Sequence, residues 1–342
     1  MTSDFEKEPP PAIPVRATNR YKGDTVPCRP DLAMRDESLA KATAALIARL
    51  AALYIAAGYP APTQHGFGMG IPGFHAGGGA LPSDLELFIR LRRLPQFQQQ
   101  YHHSKRPLNI FAIGNSFGYS TLALALTFPH ARIAVLDAHE TRQGKDANVM
   151  QGTNLTRSII QANALNAHVH VGVSPYDTAE VLSREHMAVP LTPAIGRGSQ
   201  ATTSDRGGVD LVFIDGAHTD SNQWEDFASV RRHLRRGSSI AILHDTTLSR
   251  MYRSLHAIAA DVSEPIRIYK SLNHCNEFGT ALIAASASAL PAGFGGALQL
   301  PGRAKWNPIP APLYPSQMGG ANRLSGALEL DESARPQADS SA

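Results

Sequence analysis

Cysteine is nearly missing from this sequence. Cys28 and Cys275 are the only two and stand far apart, which excludes a disulfide framework and any paired-cysteine metal motif. Neither sign of charge dominates: 32 Lys and Arg stand against 29 Asp and Glu, so the one-signed field that would hold a nucleic acid or an anionic membrane is missing too. The most apolar stretch, "LAKATAALIARLAALYIAAGY", contains Lys41 and Arg49, which interrupt the roughly 20 apolar residues expected of a membrane span. The opening "MTSDFEKEPPP" lacks the basic and apolar regions of a secretory signal, so a cytoplasmic location is expected. These exclusions leave a small molecule as the expected partner. Homo-oligomer formation stays open.

What is present is organised in four parts. Residues 1–35 are rich in proline and charge without periodicity and are expected to form a disordered tail. Residues 36–105 read as a helical preface. Asp36 is a plausible N-cap before Leu39, Leu46, Leu50 and Leu53 on one helical face, and Ser83 and Glu86 have capping-box spacing for a second helix. Between them, "HGFGMGIPGFHAGGGALP" is a glycine-rich loop, either a plain connector or a flap over a ligand. From 106 to 287, short apolar runs alternate with helical patterns: "LNIFAIG", "ARIAVLD", "AHVHVGV", "VDLVFID" and "SSIAILHD" are strands, and "PIRIYKSL" with "FGTALIAA" is an antiparallel edge hairpin. Such alternation predicts an α/β, doubly wound, Rossmann-like sheet of seven strands, with ligands bound beyond the carboxyl ends of the strands. Residues 288–342, rich in proline, glycine and alanine, are expected to be a loosely ordered tail.

The chemistry concentrates at strand ends. In "GNSFG", Gly114 and Gly118 bracket a turn containing Asn115 and Ser116, directly after the first strand. Glycine there removes the Cβ atoms that would keep a ligand off the backbone, and the next helix offers free amide donors. Asp137 closes the second strand about where a nucleoside-binding fold places its ribose carboxylate. The dinucleotide spacing GxGxxG fails, however, because Ser116 and Tyr119 occupy its second and third glycine positions.

Those residues carry a family likeness over roughly Leu108 to Ala285. The chain resembles class I S-adenosylmethionine-dependent methyltransferases, in particular the catechol-type and macrolide-sugar O-methyltransferase branch. The matching segments are "IGNSFGYSTLALA", "VLDAH", "VHVGVS" and "VDLVFIDGAHTDSNQWEDFASVRRHLRRGSSIAILHD". The resemblance implies S-adenosylmethionine across Gly114, Asn115, Ser116, Gly118, Ser120, Asp137, Ser174 and Asp215. Ser120 would help hold the methionine carboxylate and Ser174 would touch adenine. Two positions depart from the pattern: Ala112 replaces a common acid, and Ser116 stands where the commoner form has its middle glycine.

Asp215 and His218 follow the fourth strand, and His244 and Asp245 follow the fifth. Adjacent strand ends converge on one crevice, and an oxygen-rich set with one imidazole suits a divalent cation. The resemblance implies magnesium, with Asp215, His244 and Asp245 as the ligand set. The two aspartates would equally serve as caps for the helices that follow. His218, three residues after Asp215, takes the position of the general base in catechol-type enzymes, a task a histidine can perform near neutrality. The expected activity is methyl transfer to a small-molecule hydroxyl. A nicotinamide-dependent oxidoreductase and a non-catalytic binding protein on a degenerate core are the alternatives.

Overall fold

The structure, a computed structural model, describes residues 36–60, 80–103, 106–138, 147–189, 207–217, 221–246, 251–274, 279–286, 289–291 and 294–297. The expected N-terminal tail, the glycine-rich loop up to residue 79, His218 and nearly all of the C-terminal tail lie outside these residues.

The helical preface consists of α1 (Glu37–Ala56), α2 (Pro82–Arg92) and α3 (Pro95–His103). Asp36 caps α1 as expected, accepting from the Leu39 amide at 2.9 Å. By length and mean hydropathy, 1.6, α1 could cross a membrane despite Lys41 and Arg49. Its Leu39, Leu46, Leu50 and Tyr54 are buried, and the helix packs on α2 and on the helix after the first strand. The expected capping box of α2 is not formed. The helix begins at Pro82, and Asp84, its third residue, accepts from the Leu81 amide at 2.8 Å. Glu86 instead faces across the molecule, accepting from the Tyr269 hydroxyl, the Leu272 amide and both the amide and side chain of Asn273. Four donors on one buried carboxylate tie α2 to the far edge of the sheet, a stronger use of its charge than an exposed cap.

The sheet contains β1 (Asn109–Ile113), β2 (Arg132–Asp137), β3 (Ala167–Val171), β4 (Leu211–Ile214), β5 (Ile240–Leu243), β6 (Ile266–Tyr269), β7 (Ala281–Ala284) and β8 (Gly295–Ala297). Their order is β3-β2-β1-β4-β5-β7-β6-β8. The first five are parallel; β7 runs antiparallel to both β5 and β6. The expected seven strands are therefore present, and a three-residue β8, from the segment read as a tail, adds to the free edge of β6. Alternate strand residues feed two cores. Ile110, Ala112, Val135, Phe213 and Ile242 pack with α1, α2, α4 (Tyr119–Thr127) and α5 (Ala147–Ala162) on one face. Phe111, Ile113, Leu136, Ile214 and Leu243 pack with α6 (Thr178–Arg184), α7 (Asn222–Arg231) and α8 (Tyr252–Asp261) on the other. Burial on both faces is why these strands read as unbroken apolar runs rather than as alternating ones.

Candidate functional site at the carboxyl ends of the strands

The turn between β1 and α4 is built by close backbone approach. Gly114 has φ +92°, and a Cβ there would lie 2.1 Å from the carbonyl oxygen of Asp215. Gly118, at φ +84°, would place a Cβ 2.1 Å from Thr156 Oγ1 on α5. The two glycines thus let the turn seat against the end of β4 and against α5, a different requirement from the ligand clearance expected from sequence. Ser116 has φ +48°, in the left-handed region, which explains why the family pattern favours glycine there. A side chain in this conformation costs roughly 1 to 2 kcal/mol.

Asp137 reaches back to this turn. Its Oδ2 accepts from the Asn115 amide at 2.6 Å and the Ser116 amide at 3.0 Å, so the carboxylate expected to bind ribose also fixes the backbone beside it. The Asn115 side chain is a brace, accepting from Thr121 at 2.7 Å and donating to the Ser116 carbonyl and Thr156 Oγ1. Ser120 Oγ accepts from the Ala80 amide at 3.2 Å, and Tyr54 donates to the Phe117 carbonyl at 2.8 Å. The preface therefore holds the turn at two points. A hydroxyl that accepts from Ala80 still has its own hydrogen to donate.

At the ends of β4 and β5, Asp215, His244 and Asp245 come together, with one ligand atom of each within 4.8 Å of the others. His244 Nδ1 lies 3.1 Å from Asp215 Oδ1 and 3.1 Å from Asp245 Oδ1. Its Nε2 lies 2.9 Å from Asp84 Oδ2. Burial alone would lower the imidazole pKa, but Asp215 and Asp84 by charge, and Asp215 and Asp245 by hydrogen bonding, hold it well above the ordinary value. Asp245 has φ +56°, an uncommon conformation for a residue with a side chain and one found at ligand clamps. The capping alternative does not hold: α7 and α8 start at Asn222 and Tyr252, with Ser221 and Met251 as N-caps.

Ser174 lies just past β3, its Oγ 3.2 Å from Thr178 Oγ1. Beside it, Asp226 on α7 is buried, and a Cβ on Gly216 would lie 2.8 Å from Asp226 Oδ2. The Ser174 corner, the acid cluster and the glycine turn are therefore contiguous around the ends of β1 and β4. His218 lies outside the described residues. Sequence reasoning missed Asp84 and Asp226. The first carried only the signal of an acid in a first helical turn, and the second none beyond a helical position.

Residues 111–246 match the model of a family described as a methyltransferase domain. The chain carries a class I S-adenosylmethionine-dependent methyltransferase domain. The match decides between the two enzyme classes left open by the sequence. No curated protein matches the chain. Similar solved structures include cofactor-bound Rv0187 from MTB, at 18% identity over 60% of this chain and 91% of that one, with a TM-score of 0.35. The precorrin-6y C5,15-methyltransferase from Geobacter metallireducens GS-15 has 13% identity over 60% and 89%, with a TM-score of 0.37. SAH-bound methyltransferase PaMTH1 from Podospora anserina has 13% identity over 73% and 96%, with a TM-score of 0.39. At scores this low none of these likenesses bears on what the methyltransferase domain acts upon.

Proposed function

We propose that the domain methylates a hydroxyl of a small molecule, with a divalent cation held by Asp215, His244 and Asp245. The observation that carries this reading is the convergence of those three side chains at the ends of β4 and β5, directly against the glycine turn. Two carboxylates and an imidazole are a donor set that fits a dication. When bound, such an ion supplies Lewis acidity that lowers the pKa of an acceptor hydroxyl. The remaining work falls to the chain itself. Methyl transfer is an in-line displacement, so the protein's part is to orient the two reactants and to accept the hydroxyl proton. Asp137 would hold the ribose, Ser120 the methionine end, Ser174 the adenine edge, and His218 would act as the base.

Asp137→Ala is expected to weaken S-adenosylhomocysteine binding by about 1 to 3 kcal/mol, since groups paired with the carboxylate lose their partner. It should also destabilise the ligand-free chain, because the Asn115 and Ser116 amides lose Asp137 Oδ2. Calorimetric titration alongside denaturant melts reads both effects. Unchanged affinity would falsify the ribose assignment.

The reaction itself is tested with labelled S-adenosylmethionine and a panel of catechol and sugar hydroxyls, scoring O-methylated product. Chelation should lower the rate by roughly 100-fold or more, the several kcal/mol a Lewis acid contributes, while S-adenosylhomocysteine affinity stays intact. Transfer that survives chelation and the pair Asp215→Asn with Asp245→Asn would remove the cation from the account. A chain that does not bind S-adenosylhomocysteine at all would point to the degenerate, non-catalytic alternative.

A further inference from the structure

We infer that His244 is a nitrogen ligand aimed by Asp84 of the helical preface, and that the site therefore takes a first-row transition-metal dication in preference to magnesium. This rests on the cation reading of the same site.

Asp84 and His244 are 160 residues apart in sequence yet 2.9 Å apart in space, and both are buried. Asp84 is fixed from two sides. Its Oδ2 also accepts from the Leu81 amide at 2.8 Å in the first turn of α2, and its Oδ1 accepts from the Thr280 hydroxyl at 2.9 Å just before β7. An ionised carboxylate can only accept, so Nε2 of His244 must be the donor in this pair. That sets which ring edge faces which way. Nδ1 is left facing the oxygens of Asp215 and Asp245, 3.1 Å from each; by the same rule it donates its proton to them in the ion-free chain, and a dication taken up there would displace that proton to solvent. A carboxylate behind the far nitrogen of a histidine is the arrangement that orients an imidazole toward a metal and raises its basicity, and its loss typically costs 10- to 100-fold in metal affinity.

The imidazole also decides the class of ion. All-oxygen sets suit magnesium, whereas imidazole nitrogen favours zinc, iron, cobalt and nickel. With Asp84 holding Nε2, the ring cannot turn away to leave an all-carboxylate pair without stranding a fully buried charge, which costs several kcal/mol. Asp84 is thus a positioning residue contributed by the preface, from outside the matched segment 111–246.

The test uses the full chain. Cobalt titration followed by visible absorption, with magnesium as competitor, should show one ion per chain bound at least about 10-fold more tightly than magnesium. Pulsed electron paramagnetic resonance of the manganese-loaded chain should show coupling to one ¹⁴N nucleus. Asp84→Asn should weaken cobalt by roughly 10- to 100-fold, with S-adenosylhomocysteine affinity retained as the control for folding. Should that variant fail to fold, the ¹⁴N measurement on the unaltered chain still decides. Magnesium bound as tightly as cobalt, manganese without ¹⁴N coupling, or unchanged cobalt affinity in folded Asp84→Asn would overturn this inference while leaving a carboxylate cation site standing. Binding of no dication at all would overturn the cation reading itself.

Discussion

Gly114→Ala is expected to destabilise the ligand-free chain by about 3 to 5 kcal/mol and to lower its melting temperature by roughly 10 °C. Two costs add. Alanine at φ +92° is strained, at roughly 1 to 3 kcal/mol, and its Cβ would stand 2.1 Å from the Asp215 carbonyl, which overpacks a backbone-to-backbone contact that no side-chain rotation can relieve. The turn and the end of β4 must part, so S-adenosylhomocysteine binding should fall as well. Gly118→Ala is a useful comparison, because the atom it meets is a side-chain oxygen of Thr156, which can give way. Denaturant melts without ligand separate the two accounts of the turn. If stability is unchanged and only affinity is lost, ligand clearance is the correct reason for Gly114 and the packing argument fails.

Asp226→Asn is expected to stabilise the chain above neutral pH by an amount on the order of 4 kcal/mol. Burial, with a smaller push from Glu225 and against a hydrogen bond from Ser174, raises the Asp226 carboxyl from its ordinary 3.8 to about 7. The folded state therefore binds this proton more tightly than the unfolded chain does. The resulting stability is fully present below about pH 4 and is lost as pH rises through about 7. A shift from 3.8 to about 7, at about 1.4 kcal/mol per unit, sets the size of the loss. Asparagine keeps the shape beside Ser174 and Gly216 but never ionises. Urea midpoints of both proteins at about pH 4 and pH 8.5 should show near parity in the first condition and the variant well ahead in the second. A difference that does not change with pH would mean that Asp226 is ionised throughout and stabilised by its surroundings.

Much of the architecture was legible because its causes are local. An apolar run of four to six residues, a helix stop before Pro129 and an acid at a strand end are written in neighbouring residues. The order of runs then restricts the sheet to the doubly wound topology in which the ends of β1, β4 and β5 meet. That was enough to set Gly114, Asp137, Ser174, Asp215, His244 and Asp245 at neighbouring strand ends. The strand β8 was not legible: glycine-rich Gly295–Ala297 has little strand propensity, and the pairing depends on β6 having an open edge.

The sequence by itself determined the fold and the residue types that stand at the carboxyl ends of its strands, because periodicity and turn chemistry act over a few residues. Only the tertiary structure decided what those residues touch. It set Gly114 against the Asp215 carbonyl and Gly118 against the Thr156 side chain, gave Asp137 the turn amides, pushed the pKa of Asp226 upward through burial, and brought Asp84 from the preface to His244. Each of these depends on approach between segments tens to hundreds of residues apart. Contacts of that kind are set by how whole helices settle on the sheet, and no local pattern encodes them.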